Sequence, residues 1–165
     1  MLNTVAPLLG TRRGATALEF ALVAPVFLFA VGLIFQVGIM LYSQATLDMA
    51  TRLAARTIQT GAAQQAADSQ SVFGAALCGS ATSILLHCSE LVYSVASGTS
   101  FSDIVALQSA PSSSSFSPGS QGSMAVVQVF LRQPLILPLF GSLLFPSDQM
   151  QLSSTLAFRN GYYGL

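Results

Sequence analysis

Few side chains in this 165-residue sequence could do chemistry of their own. The one histidine, His87, stands beside Cys88, and Cys78 is the only other cysteine. A cysteine–histidine nucleophile needs the imidazole against the sulfur in space, which adjacency along the chain does not supply. Two cysteines and one histidine also fall short of a closed zinc site unless acids join them at ligand spacing. The six acids are spread one to a segment, with no paired carboxylates, nucleophile elbow, P-loop or H-E-x-x-H. No catalytic residue, metal or cofactor is therefore expected. A tethered hydrolase using Cys88 and His87 is kept only as a third reading. The sulfurs can instead join as a disulfide in an oxidising compartment, or stay as structural thiols in a reducing one. Joining needs Cα atoms within about 7 Å, whereas ten residues of straight helix rise about 15 Å. The chain must then bend, and Gly79 is a suitable place.

A second group of residues has a different character. Arg12 and Arg13 precede Gly14, and Glu19 and Phe20 follow it at the fifth and sixth places. Glycine lets another molecule approach the backbone closely, because it has no Cβ. Glu19 is the last charge before a long uncharged run, and an ionisable group at the edge of a membrane span is costly and usually has a partner. The plainer reading of Glu19 is an interfacial carboxylate reaching headgroup water.

The elements that position these residues follow from composition. Hydrophobic residues make up 52% and charged residues 7%, against roughly a quarter charged in ordinary soluble domains. Six arginines balance six acids and there is no lysine. A neutral chain of this kind is a poor partner for nucleic acid, where affinity comes from many phosphate contacts. Phe20 to Leu47 carries no charge, and FALVAPVFLFAVGLIFQVGIMLY within it exceeds the roughly 20 residues that cross a bilayer as a helix. Gln36 is its one strongly polar side chain, Pro25 would kink it, and Tyr42 suits the far interface. The run is too long for a secretory signal. As a soluble helix it would need cover on all sides, which so small a chain can hardly give. Arg12 and Arg13 on one side and Arg52 and Arg56 on the other nearly balance, and the reading leans to a cytoplasmic N-terminus.

Beyond the span, SQATLDMATRLAARTIQTGAAQQAADSQ reads as a helix with Gly61 its one breaker. Asp48, Arg52 and Arg56 share a face and suit ion pairing at i, i+4. Leu47, Ala50, Leu53, Ala54 and Ile58 form an apolar stripe. The span is expected to continue through this segment as one spine. Period-two patterns then mark strands at Leu91–Ser97, Met124–Arg132 and Gln151–Arg159. Leu91, Tyr93 and Val95 share one face of the first, and Leu152, Leu156 and Phe158 one face of the last. Ser109–Ser123 reads as a flexible serine-rich loop. Pro134–Pro146 is apolar and broken by proline. It suits core packing, or an exposed tip touching the membrane or a neighbour. The expected fold is α+β: a long N-terminal transmembrane helix and spine, then a small antiparallel sheet of about three strands.

The stretch RRGATALEFALVAP resembles the leader and membrane start of the TadE/TadG-like pseudopilins of the Tad/Flp pilus system, through their G-x-x-x-x-E-[FY] pattern. Ala15, where classical type IV pilins carry an aromatic, fits the Tad branch. The resemblance implies a leader of residues 1–14, cut by a prepilin peptidase between Gly14 and Ala15. Residues 15–43 would be the span and residues 44–165 a periplasmic head. Arg12 and Arg13 would hold the leader at the cytoplasmic face. Glu19, with Phe20, would serve processing and assembly by pairing with a neighbouring subunit's free amine. It further implies an inner-membrane minor pilin or pseudopilin, possible incorporation in the pilus, and other Tad pseudopilins and assembly-platform proteins as partners. A cysteine pair comparable to Cys78 and Cys88 is common in the outer domain of such proteins, so the resemblance also implies a Cys78–Cys88 disulfide. The competing function is an uncleaved membrane-anchored periplasmic binding or adaptor domain.

Overall fold

The computed structural model describes residues 12–80, 88–99, 113–134 and 149–162. His87, residues 1–11 of the expected leader and residues 135–146 of the apolar segment lie outside them. The chain divides into two compact units, residues 1–39 and 40–165. Helix α1 (Arg12–Gln59) is unbroken, as the lack of a breaker before Gly61 predicts, and it carries Pro25 inside. In the first unit α1 presents large apolar side chains on all sides, including Phe20, Val26, Phe27, Ile34 and Phe35. Phe20 to Tyr42 would be about 35 Å long as a helix, enough to span a hydrocarbon core of about 30 Å.

The second unit is the α+β head. Gly61, at φ 79°, ends α1, because a left-handed backbone there suits a residue without Cβ. Helix α2 (Ala62–Gln65) and helix α3 (Ser69–Ser80) follow. Asp68 caps α3: its carboxylate accepts from Ser71 N–H at 3.1 Å, which satisfies a donor the helix leaves open. A 3₁₀ turn at Cys88–Glu90 leads into strand β1 (Leu91–Gly98). Strands β2 (Ser115–Phe116), β3 (Met124–Pro134) and β4 (Gln149–Arg159) complete a sheet in the order β2-β1-β3-β4.

The sheet corrects one expectation. β1, β3 and β4 pair antiparallel, as alternation predicts, with Leu91 opposite Leu131 and Val127 opposite Leu156. A fourth strand, β2, pairs parallel to β1, so the sheet is mixed. It lies within the serine-rich stretch read as a flexible loop. The Ser117 N–H donates to the Val95 carbonyl at 2.9 Å, and the Ser94 and Ser115 hydroxyls meet at 3.0 Å. Phe116 supplies the anchor, its ring 5.4 Å from that of Phe73. A single aromatic among serines gives no period-two signal.

The core lies between the head's helices and one face of the sheet. Leu47, Ala50, Ala54, Ala55 and Ile58 of α1 and Phe73 and Leu77 of α3 meet Leu91, Val95, Val127, Val129, Leu131 and Leu152. Each fully buried large side chain contributes about 1.5–3 kcal/mol. Tyr93, Leu156 and Phe158 pack at the margin of this cluster, on the face that alternation assigned them. Leu53, expected in the apolar stripe, is 38% exposed. At 100° per residue it points about 120° away from Leu47, whereas Thr51 and Ala55 fall within the buried arc. Asp48 is engaged by Gln44, whose Nε2 donates to it at 3.2 Å, rather than by Arg52.

Candidate functional site

The residues to which the resemblance assigns processing and assembly all stand on α1. The Gly14–Ala15 bond lies in the helix's first turn, where backbone groups lack intrahelical partners and unwinding costs least. Gly14 lowers that cost by about a further 1 kcal/mol relative to alanine. Gly14, Ala15, Glu19 and Phe20 are all exposed. Ala15 and Glu19 are four residues apart and so share a face, one turn or about 6 Å along the axis. An amine created at Ala15 and the Glu19 carboxylate would therefore occupy one side of the helix end. The backbones of Arg12 and Arg13 form the start of α1. This arrangement offers an accessible backbone bond, a carboxylate beside it and an apolar helix behind. Among the described residues, no group of three or more His, Cys, Asp or Glu is placed to hold a metal ion.

The cysteines are joined. Cys78, in the last turn of α3, and Cys88, at the start of the 3₁₀ turn, form a disulfide with Cα atoms 5.8 Å apart. The pair ties the end of α3 to the start of β1. Gly79, expected at the bend, still lies within α3. A sulfur held in a disulfide has no thiolate, the form that attacks as a nucleophile.

Asn160 is a structural residue that period-two reasoning passed over. It is 2% exposed, and its Nδ2 reaches the Pro118 and Ser120 carbonyls at 2.7 and 3.1 Å and Ser123 Oγ at 3.0 Å. It thereby fixes the turn between β2 and β3 to the end of β4. Next to it, Gly161 N–H donates to the Gln59 carbonyl at 3.1 Å, and a Cβ on Gly161 would sit 2.6 Å from that oxygen. The Asn-Gly pair after a strand was the available signal, because asparagine side chains bond readily to nearby backbone.

Comparison with known families bears on the helix that carries the site. Residues 14–56 match the model of the family described as TadE-like protein. This segment is TadE-like. The match begins at the glycine of the resemblance and ends at Arg56, so it covers Glu19, Phe20 and most of α1. The sheet, the disulfide and the Asn160 clamp lie beyond the TadE-like segment. No curated protein and no solved structure matches the chain.

Proposed function

We infer that the chain is a minor pilin or pseudopilin of Tad (Flp) pilus biogenesis, a structural rather than an enzymatic component. The observation that carries this reading is the TadE-like match over residues 14–56, which starts at Gly14 and runs through an apolar helix long enough to cross a membrane. In this reading a prepilin peptidase cuts after Gly14, and the mature chain keeps one inner-membrane span. Its N-terminus is cytoplasmic and its head periplasmic. Arg12 and Arg13 hold the leader at the cytoplasmic face until it is cut. The new amine at Ala15 and the Glu19 carboxylate share a helix face, which suits the end of the span for pairing with neighbouring subunits. Other Tad pseudopilins and the assembly platform are the partners. A Cys78–Cys88 disulfide is in keeping with an oxidising compartment for the head.

The test is substitution at the cut. Gly14→Arg should block processing while the protein still enters the membrane, giving a full-length product in the membrane fraction. Normal removal of the leader from Gly14→Arg would overturn the reading, and a parent protein that keeps its leader would favour an uncleaved anchored adaptor.

A further inference from the structure

The direction of β4 decides what the β3–β4 connection faces. Gln44 Nε2 donates to the Ser153 carbonyl at 3.1 Å, and Gly161 N–H donates to the Gln59 carbonyl at 3.1 Å. β4 therefore runs alongside the head's part of α1 and in the same direction. Between these two ties the helix rises about 22 Å and the extended chain covers about 26 Å, so the two lie nearly side by side. β3 and β4 stay paired to their connected ends, with Pro134 opposite Gln149. From Ser153 back to Gln149 the strand covers about 13 Å, whereas Tyr42 lies only about 3 Å before Gln44 on the helix. The connected ends thus reach roughly 10 Å past Tyr42, on the side where α1 enters the head. That side is apolar. Leu41 and Tyr42 are exposed, while Ser43 is fully buried, so α1 is packed on one side down to the level of Tyr42.

Residues 135–148, outside the described residues, begin and end at this point. They include LILPLFGSLLF, with eight large apolar residues, and no charge stands between Arg132 and Asp148. These eleven residues are too few to cross a bilayer, but their length suits an interfacial segment. Arg132, opposite Gln151, is exposed on β3 about 7 Å before the connected end. An arginine at that height can keep its guanidinium among headgroups while the apolar chain beyond it enters the acyl boundary.

We propose that the β3–β4 connection is a second membrane contact. Residues 135–145 set their leucine and phenylalanine side chains into the leaflet from which α1 emerges, with Arg132 at the headgroups. The proposal rests on the single-span reading of α1. Lipid is the occupant because that span fixes a bilayer at this level of the head, where an apolar segment needs no other cover.

The chain has no tryptophan, so a single one reports its own surroundings. Full-length Phe140→Trp and Phe145→Trp are reconstituted at low density into vesicles of phosphatidylcholine and phosphatidylglycerol. Phe35→Trp, in the span, and Tyr162→Trp, exposed and next to the tie at Gln59, are the references. Replacing part of the phosphatidylcholine with its acyl-brominated form should quench Phe140→Trp, Phe145→Trp and Phe35→Trp at least about twofold and leave Tyr162→Trp unchanged. Aqueous acrylamide should do the reverse. Bromolipid quenching confined to Phe35→Trp would overturn the proposal and leave the span standing. Acrylamide access to Phe140→Trp would then mean a loop in water, and shielding from both quenchers would mean cover by the head or by a second copy. A Phe35→Trp signal untouched by bromolipid would overturn the span, and the proposal with it.

Discussion

Two buried polar residues have opposite worth. Asn160 spends its amide on three acceptors, so Asn160→Ala strips bonds from the turn before β3 and leaves those acceptors to find water. The expected loss is about 2–3 kcal/mol, read as a lower thermal midpoint of the head. Ser43 is fully buried and its hydroxyl has no hydrogen-bond partner. Ser43→Ala removes an unsatisfied polar group at almost constant volume, and thermal unfolding should show an unchanged or raised midpoint, by up to about 1 kcal/mol. For Asn160 the sequence offers only the Asn-Gly pair as a signal, and for Ser43 it offers none. An asparagine after a strand and a serine after an apolar run look like loop and interface residues until the contacts are known. Gly14, Glu19 and Phe20 stand out in the sequence through order and spacing rather than contacts, and the TadE-like match spans all three.

Each element owes its limits to a few residues. Gly61 ends α1 with a left-handed backbone, so Gly61→Val, β-branched at φ 79°, should destabilise the head by about 1–2 kcal/mol, measured by chemical denaturation. The disulfide closes a short loop between α3 and β1. Reduction, or Cys78→Ser with Cys88→Ser, should cost roughly 3 kcal/mol, seen as a lower denaturation midpoint under reducing conditions. The three antiparallel strands could be read in advance because alternation of Leu91, Tyr93 and Val95, and of Leu152, Leu156 and Phe158, reports a face buried along its length. β2 could not. It is held by Phe116 and backbone bonds to β1, and parallel pairing to a distant segment leaves no local pattern. Leu53 went astray for the converse reason: an apolar residue near a stripe need not fall within its arc.

At the scale of the molecule, two regimes share one chain of 52% hydrophobic residues. The α+β head encloses a core of the usual kind. Residues 14–39 of α1 expose large apolar side chains that no packing within that unit covers, and such a surface calls for lipid or other helices. The TadE-like match covers this apolar stretch and the first part of the head's own helix, so it bears on anchoring and processing. The central claim is that the chain becomes functional by losing its first fourteen residues. Mass spectrometry of the N-terminus, from cells with and without a prepilin peptidase, tests it most directly. The account predicts Ala15 as the first residue when the peptidase is present and an unprocessed N-terminus when it is absent. An intact Met1 or Leu2 in both would contradict it.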